Sequence, residues 1–197
     1  MRETSRVELP PGTSGFSAVV LAGGTAARLD GADKASIEHA GRTLLEWAID
    51  ALVDAAEVVV VGDPVPTTRP VTFTRENPRY GGPVAALLTG RDALLREPRT
   101  LGVLAVDMPR VTAYTFRRLH EAAVGHDGAF LADRDGRRQL AGVLDVGRLD
   151  AVRHDHQGQH GMALHRLLSG LDLATVGPEG EEGRDIDTWA DLRDLEG

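Results

Sequence analysis

The sequence predicts a three-layer α/β fold with a mostly parallel, mixed sheet, and three observations carry that expectation. Short continuous apolar runs, such as Ser17 to Ala22 and Val58 to Val61, suit strands buried on both faces. Stretches with apolar residues at helical spacing separate them, and the alternation repeats four times, the pattern of a parallel sheet covered by helices. In the second half two apolar runs flank Asp133 to Arg138, whose Asp135-Gly136 is a good hairpin turn, so antiparallel pairing enters there.

Residues 1 to 15, with Pro10-Pro11-Gly12, read as a flexible lead-in, and residues 16 to 197 as a single domain. After the first strand, Gly41-Arg42 makes a turn and Thr43 caps a helix through Leu44, Leu45, Trp47, Ala48, Ile49 and Leu52. Val58 to Val61 is the second strand, closed by Gly62-Asp63-Pro64, and Val71 to Thr74 a short third. A helix from about Val84 to Leu95 follows Gly81-Gly82-Pro83, then the strand Leu101 to Val106, then a helix from Tyr114 to Val124 capped by Thr112. Ala129 to Ala132 and Gln139 to Val146 form the hairpin. Met162 to Ser169 reads as a short helix, Leu173 to Val176 as an apolar segment, and Asp187 to Leu195 as a terminal helix. The weakest candidate boundary is the acidic loop from Gly177 to Gly183.

Composition narrows the function classes. The 197 residues carry 22 Lys+Arg against 30 Asp+Glu, a net charge of −8, and no cysteine, which excludes disulfides, thiolate metal sites and cysteine nucleophiles. The acidic balance and the scarcity of aromatic residues, 4%, argue against an extended nucleic-acid surface. No apolar run approaches the roughly 20 residues of a membrane span and no signal-peptide core is evident, so the cytoplasm is the default location. A small anionic substrate fits, held by helix ends and a few cations. Of the 22 basic residues 21 are arginine, and the one lysine is Lys34. Drift to arginine wherever a positive charge was enough makes the surviving lysine a residue to watch, since the two differ in geometry and hydration.

Lys34 closes the segment Leu21-Ala22-Gly23-Gly24-Thr25-Ala26-Ala27-Arg28-Leu29-Asp30-Gly31-Ala32-Asp33-Lys34, which leaves the end of the first strand. Ligands of open α/β sheets bind at that edge. Adjacent glycines let the backbone approach a ligand and turn its N–H groups toward phosphate oxygens or base edges. Arg28 and Lys34 place two cations in the loop, suited to neutralising a triphosphate and the charge that develops as pyrophosphate leaves. The spacing matches neither the dinucleotide-binding nor the P-loop fingerprint, and a glycine-rich turn with solvated cations is the plainer alternative.

Asp107 ends the strand Leu101 to Val106 at the same edge. One or two carboxylates with substrate phosphates and waters suffice for magnesium, so Asp107 is a candidate metal ligand, with helix capping as its structural alternative. Asp187 is a candidate second carboxylate or acceptor contact, and equally a candidate N-cap of the terminal helix. Gly81-Gly82-Pro83 opens a helix whose N–H groups can face a base or an acceptor, although a simple strand-to-helix turn looks the same. The histidines at 154, 156, 160 and 165 fit no zinc spacing and read as a polar loop, and Arg137 and Arg138 read as surface charge or as an acceptor-phosphate contact.

Taken together, these segments resemble a known family. Leu-Ala-Gly-Gly, three residues, Arg, then Gly and Asp-Lys are similar to the signature of the nucleoside triphosphate transferases, most closely the molybdenum cofactor guanylyltransferases, the MobA-like proteins. Arg75 to Leu87 looks like the Gly-Pro segment of that family, Asp107-Met108-Pro109 matches its metal motif, and Asp185-Ile186-Asp187-Thr188 resembles its C-terminal element. The likeness covers roughly residues 17 to 195. It implies a Rossmann-like nucleotidyltransferase fold and in-line attack of an acceptor phosphate on the α-phosphorus of GTP, with release of pyrophosphate and formation of a molybdopterin guanine dinucleotide.

The resemblance also implies roles. Leu21, Ala22, Gly23, Gly24, Lys34, Glu76, Gly82 and Asp107 bind the nucleotide, Arg28, Lys34 and Asp107 drive the transfer, and Asp107 holds Mg2+, with Asp187 as a second candidate. Gln139, Gly161 and Asp187 border the acceptor. Four positions depart from the pattern of the family: Asp30 replaces a glycine near the phosphates, Val106 stands where many members have cysteine before Asp-Met-Pro, Leu140 follows Gln139 where many relatives have proline, and Glu76 stands approximately where an aspartate contacts the base. Two competing functions share the same phosphate-handling residues. One is a cytidylyl or other NTP transferase acting on a pterin or a sugar or alcohol phosphate, and the other a catalytically silent nucleotide-binding module.

Overall fold

In the computed structural model of the chain, residues 15–23, 33–77, 79 and 81–194 are described. Of the expected lead-in only Gly15 falls among them. Seven strands form one sheet in the order β5-β4-β1-β6-β8-β7-β9, where β1 is Phe16–Leu21, β4 Val58–Val61, β5 Thr72–Thr74, β6 Thr100–Ala105, β7 Gly128–Ala132, β8 Arg138–Asp145 and β9 Leu173–Val176. The expected mixed sheet is present. β5, β4, β1 and β6 run parallel, β8 is antiparallel to both β6 and β7, and β9 is parallel to β7.

A two-stranded ribbon, β2 (Glu38–His39) and β3 (Arg42–Thr43), surrounds the turn at Gly41 and leads into α1 (Leu44–Ala51). Thr43 caps that helix as the sequence predicts, and Glu46 completes a capping box. Thr112 caps α3 (Ala113–Ala122) in the same way with Thr115. α2 is Gly82–Asp92, α6 is Leu164–Leu168 and α7 is Trp189–Asp194. Two helices lie where the sequence suggested none. Asp145 ends β8 and turns it into α4 (Val146–Val152) by accepting the N–H of Arg148, and α5 (His156–Gln159) forms inside the histidine-rich segment with Asp155 as its cap.

Each face of the sheet has its own core. Phe16, Ala18 and Val20 of β1 point to the side of α1 and α3, whereas Val19 and Leu21 point to the side of α2 and α6, the two-residue period of a strand covered on both faces. α2 lies very close to the sheet, because a Cβ on Gly90 would stand 2.4 Å from Cγ1 of Val19. β1 has β4 on one side and β6 on the other, so the chain reverses its direction of sheet growth between β1 and β6. The ends of these two strands are in register, Leu21 opposite Ala105. Residues just beyond them therefore meet at the topological switch point, where ligands of open α/β sheets bind.

His120 is one of the buried polar residues of α3. It is 8% exposed, its Nδ1 lies 2.8 Å from the carbonyl of Phe116, its ring stands edge-on to Phe16, and Nε2 has no partner among the described residues. Burial lowers its pKa against the smaller opposing effects of the Phe116 carbonyl and Asp54. A neutral imidazole buried this way binds its proton less readily folded than unfolded, so stability falls as pH drops through the ordinary histidine range near 6.5. The expected loss is up to about 1 kcal/mol per pH unit, and His120→Phe should flatten that slope when chemical denaturation is followed between pH 7 and 5. An unchanged slope would assign the acid sensitivity to other groups.

Candidate active site at the switch point

The site is built from three segments far apart in sequence. Asp33 closes a single 3-10 turn, Lys34–Ser36, by accepting the N–H of Ala35 at 3.1 Å. Ala35 is fully buried against the core and holds the turn down, which directs Lys34 over the ends of β1 and β6. Asp107 lies two residues past β6. The segment Asp185 to Asp187 comes back from β9, and Ile186, 1% exposed, donates its N–H to the carbonyl of Asp107 at 2.9 Å.

Lys34 joins all three. Its Nζ donates to Oδ2 of Asp107 at 2.8 Å, to Oδ1 of Asp187 at 2.9 Å and to the carbonyl of Ile186 at 3.0 Å. An ammonium has three donors and no acceptor, so its hydrogen-bonding capacity is filled by the protein. Burial disfavours the charged form, but the hydrogen bonds and charges of Asp107 and Asp187 outweigh it and raise the pKa of Lys34 above the ordinary lysine value. Thr188 and Asp191 cap the start of α7 for each other, which leaves Asp187 to Lys34 instead of the capping role that was its alternative.

Asp185 adds a third carboxylate. Its pKa is raised, first by burial and then by the charges of Asp187 and Asp107. Asp107, Asp185 and Asp187 thus bring three carboxylates to the neighbourhood of the Lys34 ammonium. One or two carboxylates suffice for Mg2+ when phosphate oxygens and waters complete its shell. No cluster of three or more candidate ligand side chains is present among the described residues, so any such ion would draw much of its coordination from substrate.

The remaining expected residues fall into neighbouring groups. Leu21 and Ala22 close β1 with backbone bonds, the Leu21 carbonyl accepting from Val106 and the Ala22 N–H donating to Val61. Gly23 comes next, and a Cβ there would lie 3.6 Å from the Val61 carbonyl and 4.0 Å from Oε2 of Glu76, so the Glu76 carboxylate lines the same turn. Gly24 and Arg28 lie outside the described residues, as does Asp30. Gly82 starts α2 beside Gly161: the Gly161 N–H donates to the Gly81 carbonyl at 2.8 Å. Gln139 stands apart from that pair, on the wall of a cleft of about 380 Å³ between the β7–β8 turn and residues 178–185, where it donates to Asp133 at 3.1 Å. Sequence reasoning singled out the segment that holds Asp185 and Ile186 but gave neither a role. The one carries charge into the cluster and the other lends its carbonyl to Lys34.

Over residues 18–174 the chain matches the MobA-like NTP transferase domain. It belongs to that family. A curated molybdenum cofactor guanylyltransferase of Acidiphilium cryptum is 32% identical across 92% of this chain and 94% of its own length. A probable molybdenum cofactor guanylyltransferase of Methanosarcina acetivorans is 28% identical across 98% and 93%. Among solved structures, the molybdopterin-guanine dinucleotide biosynthesis protein A of Archaeoglobus fulgidus superposes with a TM-score of 0.68 at 19% identity, covering 91% of this chain and 96% of that one. The 2-C-methyl-D-erythritol 4-phosphate cytidylyltransferase of Thermus thermophilus has the same TM-score, 0.68, at 21% identity over 90% and 96%. The two structural likenesses are likenesses of fold.

In this MobA-like NTP transferase the Lys34 bridge is a structural element as well as a charge. Lys34→Ala should remove the ammonium that Asp107 and Asp187 share, and Lys34→Arg should put a broad planar group where a compact tetrahedral donor fits. Both are expected to cost about 1–3 kcal/mol of stability. They should also accelerate amide hydrogen exchange at Ile186 at least about tenfold while β1 and β6 stay protected. Unaltered exchange at Ile186 in both variants would show that the bridge does not hold the segment.

Proposed function

We propose that the protein transfers GMP from GTP to the terminal phosphate of molybdopterin, releasing pyrophosphate, as a Mg2+-dependent enzyme of the cytoplasm. The observation that carries this reading is the Lys34 bridge between Asp107 and Asp187 at the switch point, one strand away from the Gly23 turn, in a chain of this family. The names of the curated relatives support the guanylyl assignment, and no helix among the described residues is long and apolar enough to cross a membrane. A structural neighbour, Rv0371c of Mycobacterium tuberculosis, was solved in complex with manganese, which supports use of a divalent ion.

In this reading the Gly-Gly turn that begins at Gly23 binds the phosphates through its backbone, and Arg28 has the role of a second cation. Glu76, whose carboxylate lies beside Gly23, is assigned the role of accepting from the base. Guanine offers a ring N–H and an amino group side by side to one carboxylate, whereas cytosine offers only its amino group, so a site built around Glu76 discriminates between them. Mg2+ held by Asp107 and Asp187 would neutralise phosphate charge when bound. Lys34 keeps those two carboxylates together and adds its own charge to the field that the triphosphate meets. The acceptor phosphate is already anionic, so no side-chain nucleophile is needed, and positioning with charge neutralisation supplies the acceleration. In this reading Gln139, on the cleft wall, contacts the acceptor, as do Asp187 and the Gly161 turn beside the start of α2.

Pyrophosphate release measured with purified molybdopterin and GTP, CTP or ATP tests the proposal. GTP should be preferred by about 100-fold or more. Asp107→Asn, which retains the shape of the side chain, should lower turnover by about 10²–10³, and Lys34→Arg by about 10² through misplacement of both carboxylates. Preference for CTP would move the assignment to cytidylyl transfer. Binding of GTP without pyrophosphate release would identify a silent nucleotide-binding module.

A further inference from the structure

Between the end of β9 at Val176 and the clamp at Ile186, the acidic run Gly177-Pro178-Glu179-Gly180-Glu181-Glu182-Gly183 has the composition of a solvated loop. One of its carboxylates is nevertheless buried. Glu182 is 6% exposed; its Oε2 accepts from the hydroxyl of Thr115 at 2.5 Å, and its Oε1 accepts from Nη1 of Arg118 and from the N–H of Glu179, the last at 2.7 Å. The same guanidinium donates through Nη2 to the Gly177 carbonyl and pairs with Glu179 at 3.2 Å. Thr115 and Arg118 stand one turn apart on α3, so the helix presents a hydroxyl and a guanidinium to a single carboxylate.

Anchoring Glu182 also anchors the residues after it. A Cβ on Gly183 would lie 3.0 Å from the carbonyl of Ala132, so the chain lies tight against the end of β7. Gly183, Arg184 and Asp185 then form one wall of the 380 Å³ cleft, facing Asp133 and Gln139 across it. The next two residues are Ile186, bonded to Asp107, and Asp187, bonded to Lys34. The segment is a strap: one end is fastened to α3 and the other to the metal-side carboxylates, and the middle walls the cleft.

We propose that Glu182 is a positioning residue of the acceptor side, holding the strap from Gly177 to Asp187 in register through Thr115 and Arg118 without touching substrate. The proposal rests on the reading of the cleft as the acceptor site. It accounts for a buried charge remote from Lys34 and for the coupling of cleft wall to carboxylate clamp in one continuous segment.

Glu182→Gln, which keeps the shape and removes the charge that Arg118 pairs with, and Thr115→Val, which removes only the hydroxyl, test it in the full-length enzyme. Each should raise KM for molybdopterin about tenfold or more, with equilibrium affinity for GTP within about twofold of the parent protein, and Thr115→Ser should restore the parent KM. Trypsin cleavage after Arg184 and the fluorescence of Trp189 in a Trp47→Phe background read the strap directly and need no turnover. Cleavage should accelerate at least about tenfold and the Trp189 emission should shift in Glu182→Gln and Thr115→Val, but not in Thr115→Ser. A parent-like molybdopterin KM together with parent-like cleavage would overturn the proposal. So would equal losses of GTP and molybdopterin affinity, which mark general loosening of the fold. Faster cleavage combined with an unchanged molybdopterin KM would retain the strap and place the acceptor outside this cleft.

Discussion

The ammonium of Lys34 is the contact on which the rest of the site depends. Two carboxylates and a carbonyl converge on it at 2.8 to 3.0 Å, from segments separated from it by 73 to 153 residues. Without a cation between them, Asp107 and Asp187 would repel each other in a partly desolvated crevice, where Coulomb interactions are several times stronger than in water. With it, the C-terminal segment is drawn over the ends of β1 and β6 and the carboxylates share one location. A guanidinium cannot reproduce this: it is planar, and its donors are spread along a rigid fork. The survival of a single lysine among 21 arginines therefore has a geometric explanation in this structure.

The fold delivers the clamp by topology. The sheet grows outward from β1 in both directions, so the ends of β1 and β6 flank the one crevice where strand growth changes sense. Gly23 emerges from one strand and Asp107 from the other, and their separation is fixed by the register of Leu21 opposite Ala105. Both cores brace that register, because alternate residues of β1 are buried on opposite faces. The antiparallel half of the sheet has a different task. It brings the β7–β8 turn to the same edge, opposite residues 178–185, and opens the cleft beside the clamp. Nucleotide side and cleft side thus differ in strand direction as well as in composition.

Much of this was legible in the chain. Runs such as Val58 to Val61 became strands at their expected positions, and Thr43 and Thr112 capped the expected helices. These features are local, decided by a few neighbouring side chains. The partners of Lys34 were not legible: sequence placed it near phosphate-handling residues, but no local rule pairs position 34 with positions 107 and 187. The same limit applied to Glu182. Within its run it is one of several acidic residues, and the approach of Thr115 and Arg118 from α3, with the N–H of Glu179, offsets the cost of its burial. α4 was missed because its apolar residues continue those of β8, and only Asp145 marks the change of period. Asp187 had two equal readings in the sequence; in the fold Thr188 pairs with Asp191 at the start of the last helix and Asp187 bonds Lys34.

The clamp itself can be observed directly, since selective labelling of lysine with ε-15N gives one side-chain resonance in a protein with one lysine. In the nucleotide-free protein that resonance should show slow hydrogen exchange of an immobilised ammonium, and both Asp107→Asn and Asp187→Asn should move it. The signal should persist when GTP and Mg2+ are added. A fast-exchanging ammonium with the shift of free lysine, indifferent to both substitutions and ordered only by nucleotide, would contradict the account.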